Sequence, residues 1–297
     1  MTTALPILRV ALEWFLNPDH LPLLWAQEQA KADDQFIVEL IAPDDHYDGF
    51  ADLATAKVDA VVNEPLHLIE QQLEGQQLQS LGTFFHTEGG ILMQRSAYDK
   101  VRAGETIRIT SPVSNPVTDG LCHDILLGYW RQQGLEVSPE QFVVYEGGFD
   151  HVAQLQKGAD AAWLAFANIE GVHVKYLGLA VDMISTDDGG VPGFSALELI
   201  TSRNVETQAR ERLAKFVEYL DAAVPALIEA PQGALTLWYR ASNAEPSELT
   251  EALIQDTLKR FIAPVRPDAS RWRPIWQYMQ SKGADIVTED EFETIFK

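Results

Sequence analysis

The sequence predicts an α/β protein of two lobes, each a mostly parallel sheet flanked by helices. Two observations lead there. Short β-branched and aromatic runs alternate with helical stretches at the spacing of βαβ units, and this rhythm starts at Ile7 and restarts in the middle of the chain. The length of 297 residues suits about two such units.

Each element follows in order. Ile7–Leu12 reads as a strand running into the polar turn Asn17-Pro18-Asp19-His20, whose proline and acid favour the start of a helix over 21–32. Phe36–Ile41 is a second strand, ended by Pro43-Asp44-Asp45. A helix over 49–55, a short apolar strand over 59–62 and a helix over 65–73 follow. Thr106–Thr110 begins the second unit, and the cap-rich loop Ser111–Asp119 leads into a helix over 118–133 that stops at Gly134. Strands at 142–145 and 161–164 flank a helix over 149–157. A strand over 197–201 returns, with helices over 205–230, 231–241 and 246–261 and an amphipathic helical tail from Trp272 to Lys297. The expected lobes are residues 1–92 plus 194–297, and residues 93–193 inserted between them. Two crossings of the chain make a hinged clamshell, and the turn-dense run Thr186–Gly193 suits one of the crossings.

Composition excludes several classes. With 44 acids against 22 bases the net charge is −22, so phosphate backbones and anionic membrane surfaces repel the chain. Nucleic acid is therefore not an expected partner. No apolar run is long enough to span a membrane, and none is expected to insert. The single Cys122 cannot form an internal disulfide. The seven histidines show no metal-binding spacing, and no phosphate-cradling glycine motif or nucleophile elbow is present. Neither a metal nor a cofactor is called for. The N-terminus lacks the pattern of an export signal, which places the chain as written in the cytoplasm; a trimmed mature form would be periplasmic.

Ligands of parallel sheets sit beyond the carboxyl ends of the strands, so those positions carry the candidate site. The first strand delivers Trp14, a stacking face, and Asn17, a hydrogen-bonding edge; Asp19 is available to cap the following helix and leave Asn17 to a ligand. The third strand delivers Asn63 and His67. In the second lobe, Ser111 and Ser114 sit in a hydroxyl-rich loop at a helix start, which can bind an anion but reads first as an ordinary capping sequence. The run Trp163, Phe166, Asn168, Glu170 closes a strand with aromatics, an amide and a carboxylate. A buried carboxylate can pair with an exocyclic amine and a ring nitrogen, although Glu170 taken alone reads as a solvated first-turn acid.

Leu12-Glu13-Trp14, Asn17 and His20, the stretch Leu21-Pro-Leu-Leu-Trp-Ala-Gln-Glu28 and Lys57-Val-Asp-Ala60 resemble the periplasmic-binding-protein-like family of the thiamine pyrimidine precursor. The likeness covers roughly Leu8 to Leu220 and implies a type 2 periplasmic-binding-protein clamshell. The family has two branches. One holds substrate-binding components of ABC importers, whose partners are a small ligand and a transporter permease. The other is the pyrimidine synthase, which consumes its own histidine and pyridoxal phosphate. His67 matches the sacrificial histidine of the synthase. Asn63, however, stands where the synthase has its Schiff-base lysine, and an amide forms no imine. Gly189–Ser195 replaces its cysteine-rich run. The resemblance thus implies reversible binding of an aminopyrimidine rather than its synthesis, with no catalytic residue. An enzyme on the same scaffold is the alternative, for which Glu146, Glu170 and His67 are the available acids and bases.

Overall fold

The computed structural model describes residues 5–43 and 49–297. In chain order the strands are β1 (Ile7–Ala11), β2 (Ile37–Ile41), β3 (Ala60–Asn63), β4 (Leu78–His86), β5 (Gly89–Gln94), β6 (Ile107–Ser111), β7 (Phe142–Glu146), β8 (Ala161–Phe166), β9 (Val181–Ser185) and β10 (Ala196–Ser202). The helices are α1 (Leu21–Ala32), α2 (Gly49–Ala54), α3 (Pro65–Leu73), α4 (Arg95–Arg102), α5 (Pro116–Gln132), α6 (His151–Gln156), α7 (Val172–Tyr176), α8 (Thr207–Glu229), α9 (Pro231–Ser242), α10 (Glu248–Thr257), α11 (Ala269–Ser281) and α12 (Glu289–Ile295). The chain divides into two compact units, residues 1–86 with 196–297 and residues 87–195.

The first unit holds a sheet in the order β2-β1-β3-β10-β4. Strands β1, β2 and β3 are parallel, with Ala11 opposite Ile41 on one side and Val61 on the other, whereas β10 runs antiparallel to both its neighbours. Leu8, Val10, Val38, Val61 and Leu199 are buried, each contributing about 1.5–3 kcal/mol through the area it withdraws from water. Helix α8 supplies a matching stripe of Leu213, Phe216, Leu220 and Leu227, spaced three, four and seven residues apart, and packs along α1. Among the described residues, two acidic side chains of this unit are buried, Asp19 and Glu198. Glu198 of β10 is fully buried and accepts the Trp272 indole N–H at 2.7 Å together with the hydroxyls of Ser80 and Thr83. Burial pushes its carboxyl up against the pull of those donors, and its pKa stays raised.

The second unit repeats the pattern with β7-β6-β8-β5-β9, in which β6 is parallel to β7 and β8 while β5 is antiparallel to its neighbours. In each sheet the path of the chain reverses beside the first parallel strand, between β1 and β3 and between β6 and β8. Those two places are the topological switch points where open sheets bind ligands.

Several elements differ from the sequence reading. Strands β4, β5 and β9 and helix α4 lie where that reading gave no element. The expected lobe boundary after residue 92 falls inside β5, which pairs entirely within the second unit, and the chain divides after His86 and Ser195 instead. The run 186–193, read as a crossing, belongs to the second unit: Gly189 lies so close to Ile125 and Gly128 of α5 that a Cβ on either glycine would collide. The tail is helical as expected and forms two helices, because Gly283 turns the chain at φ 73° and Thr288 with Glu291 forms a new capping box. The expected turn at Pro43-Asp44-Asp45 lies from Asp44 onward outside the described residues.

Candidate functional site

At the first switch point, β1 runs into Glu13-Trp14-Phe15-Leu16-Asn17 and β3 into Asn63-Glu64. Asn17 proves to be the cap: its Oδ1 accepts the Asp19 N–H at 2.9 Å and its Nδ2 reaches the Phe15 carbonyl at 3.3 Å. Asp19 is buried instead, with the Thr257 hydroxyl 3.4 Å away, which reverses the expected division of labour between the two residues. The Asn17 N–H donates to His20 Nδ1 at 3.2 Å, leaving Nε2 directed at both Glu13 oxygens at 3.0 and 3.1 Å. Burial pulls the His20 pKa down, the Glu13 charge and hydrogen bond push it up, and the result is a raised value. Sequence reasoning passed over this pair because nothing local shows that His20, seven residues on, turns back onto Glu13.

Trp14 is half-buried and meets Phe15 edge to face at 5.3 Å, and Phe15 is 57% exposed. An aromatic pair at a strand end with one ring exposed and the other partly so can offer a stacking surface to a flat ligand. On the adjacent strand, the Asn63 Oδ1 accepts the Glu64 N–H at 2.8 Å and the His67 imidazole at 2.6 Å, so its acceptor is committed to the first turn of α3. His67 itself is exposed. Glu64, also missed from sequence, is half-buried. Withdrawal from water, then the charges of Glu13 and Glu70, push its carboxyl up to about 8.

At the second switch point the chemistry is different. Ser111 ends β6 fully buried, and neither its hydroxyl nor that of neighbouring Thr110 finds a hydrogen-bond partner. Ser114 is exposed and donates to Asp119 at 2.8 Å, while Asn115 caps α5 by accepting from Val117 and Thr118. Trp163 is only 1% exposed and its indole N–H donates to the Thr118 carbonyl at 3.1 Å, which makes it core of this unit rather than a stacking face. Phe166 is half-buried, and Asn168 is fully buried within the π-helical turn Ala167–Gly171. Glu170 spends one oxygen on the Phe166 N–H at 2.8 Å and sets the other 3.4 Å from Nδ1 of buried His151. Its carboxylate therefore holds the turn after β8. Glu146, one of the acids available to an enzyme, is exposed at the end of β7.

Among the described residues no group of three or more histidine, cysteine or acidic side chains is placed to hold a metal, and no helix is long and apolar enough to cross a membrane.

With this geometry in hand, comparison with known proteins is decisive for ancestry. Residues 17–234 match the family described as NMT1/THI5 like, well over half of the chain. The chain belongs to the NMT1/THI5-like family. A Haemophilus influenzae protein named for thiamine biosynthesis is 26% identical over 287 residues, spanning 92% of this chain and 86% of that one. Among solved structures, the ligand-binding component of an ABC-type import system from Staphylococcus aureus, with zinc bound, superposes with a TM-score of 0.73 at 14% identity, covering 97% of this chain and 96% of its own. The alkanesulfonate-binding protein SsuA of Xanthomonas axonopodis pv. citri, bound to MOPS, gives 0.65 at 15% identity over 100% and 96%. At these identities the likeness establishes the fold, that of the periplasmic binding proteins.

Proposed function

We propose that this family member is a substrate-binding protein of the ABC-import type whose ligand is a flat aminopyrimidine related to thiamine. The observation that carries the reading is the switch point of the first unit, where half-buried Trp14 and exposed Phe15 follow Glu13 at the end of β1 and Glu64 follows the adjacent β3. Aromatic faces take a heterocycle by stacking, and carboxyls take its amine. The Glu13 carboxylate opposes anions, which argues against the sulfonate cargo of structural neighbours. Ser111, Phe166 and Asn168 stand at the second unit's own switch point. An importer receptor works outside the inner membrane, and that location replaces the cytoplasmic one; its partner there is a transporter permease.

Thermal unfolding of the full chain tests the reading against a panel of 4-amino-5-hydroxymethyl-2-methylpyrimidine, its formylaminopyrimidine relative and a short aliphatic sulfonate. A ligand at about 100 times its Kd stabilises by about 2.7 kcal/mol, enough to raise Tm by several degrees. The expected outcome is a rise with one or both pyrimidines and none with the sulfonate. A rise with the sulfonate alone refutes the aminopyrimidine assignment.

A further inference from the structure

The turn that carries Trp14 and Phe15 has no regular structure of its own. Residues 13–16 follow β1 as bends, and helical backbone begins only at Pro18–His20. Such a segment is ordinarily mobile, because few backbone hydrogen bonds oppose its conformational entropy. Here one ring ties its two ends together. His20 is fully buried, its Nδ1 accepts the Asn17 N–H at 3.2 Å, and its Nε2 lies 3.0 and 3.1 Å from the two Glu13 oxygens. The Asn17 side chain adds two more local links, accepting from the Asp19 N–H and donating to the Phe15 carbonyl. A capping box needs only the bond between the ring and the Asn17 N–H. The second bond, back across the aromatic pair to Glu13, adds nothing to the helix start. Burial does not call for it either: His151 of the second unit is equally buried and hydrogen-bonds through neither ring nitrogen.

We propose, on the basis of the aminopyrimidine reading above, that His20 is a positioning residue for recognition: its neutral imidazole, with the proton on Nε2, clamps Glu13 to Asn17 and so holds Trp14 and Phe15 in the edge-to-face arrangement that a flat ligand stacks against. The tautomer follows from the partners. A backbone N–H only donates, so Nδ1 must bring a lone pair, and the ring proton is then on Nε2, where the Glu13 carboxylate accepts it. An imidazolium would set an N–H on Nδ1 against the N–H of Asn17 and open the far end of the clamp. Burial opposes a charge on the ring, whereas Glu13, beyond β1, and Asp19, in the ring's own turn, favour it. From α10 the Thr257 hydroxyl reaches Asp19, at 3.4 Å. The clamp therefore loosens in acid, and the stacking surface loosens with it.

The test is calorimetric titration of the full chain with the hydroxymethylpyrimidine from about pH 5.5 to about pH 8.5, on the wild type and three variants. Wild-type affinity is expected to fall toward acid, by up to about tenfold per pH unit, as Nδ1 takes its proton. His20→Gln, whose amide can donate to Glu13 and accept from Asn17 at every pH, is expected to bind as the wild type does at the alkaline end and to lose this fall, any remainder being the ligand's own titration. His20→Leu makes neither bond and is expected to bind at least about tenfold more weakly at the alkaline end. Glu13→Gln removes a charge that favours the imidazolium and is expected to move the fall to lower pH. A wild-type profile identical to that of His20→Gln, or His20→Leu affinity equal to that of the wild type, overturns the inference and leaves the ligand assignment standing. The shift in Glu13→Gln needs no His20 variant to fold, and a fall that stays in place there overturns the inference as well. A wild type that binds neither pyrimidine overturns the assignment and this inference with it.

Discussion

The two units share a strand order and differ in what they set at its turning point. Beyond β1 and β3 stand carboxyls, half-buried Trp14 and exposed Phe15; β6 ends in buried hydroxyls, Trp163 is buried within β8, and the amide of Asn168 is buried beyond it. Each end also has a buried histidine facing a glutamate, tightly for His20 and Glu13 at 3.0 Å, loosely for His151 and Glu170 at 3.4 Å. Topology thus decides where a site can be, and the side chains at the strand ends decide what it can hold.

The sharpest way to break this comparison is to truncate the two tryptophans that look alike in sequence. Trp163→Ala empties a core position and is expected to cost about 3–5 kcal/mol of stability. Trp14→Ala is expected to leave stability within about 1 kcal/mol while weakening pyrimidine binding at least about tenfold, as for an exposed recognition aromatic. Chemical denaturation and calorimetry on both variants check the contrast, and equal stability losses would erase it.

The histidine pairs give the next largest difference. Glu13→Gln weakens a two-oxygen contact to a buried imidazole and is expected to cost about 1–3 kcal/mol. Glu170→Gln keeps an acceptor for the Phe166 N–H and should cost less, which denaturant titration resolves.

A pH dependence is expected from Glu64 in the first unit. Glu64 has a folded pKa of about 8 against an ordinary value of 4.5, so the folded state binds its proton more tightly than the unfolded state. That contribution to stability is complete below the ordinary value and is lost as pH rises through the folded one. Glu64→Gln should therefore unfold at a higher temperature than the wild type in mildly alkaline buffer, with the advantage shrinking in acid. The smallest effects should be equal in the two units: Asn17→Ala and Asn115→Ala each remove a cap and are expected to cost about 1 kcal/mol.

What could be read in the sequence follows the same division. Strands β1, β2, β3 and β6 announced themselves because apolar runs with sharp turn signals are local. Strand β4 did not, since Gly82 at φ 144° and the polar alternation of Gln79, Ser80 and Thr83 hide a sheet paired to residues more than a hundred positions away. Helix α4 is almost wholly polar, with only Ala97 and Val101 buried. Asn17 was legible as a turn residue, but which of two neighbouring side chains caps is settled by the burial of Asp19. Trp163 was misplaced because a buried strand and a strand ending in a recognition surface look the same over six residues. Glu64 was not legible because its withdrawal from water and the charge of Glu13, on another strand, come from the fold and not from any local pattern.

The central claim is that this chain binds an aminopyrimidine, and direct calorimetric titration of the purified wild type with 4-amino-5-hydroxymethyl-2-methylpyrimidine at neutral pH tests it. The account predicts saturable binding at one site with micromolar or tighter affinity. Absence of any binding heat across several temperatures, with the protein shown to be folded, would contradict it.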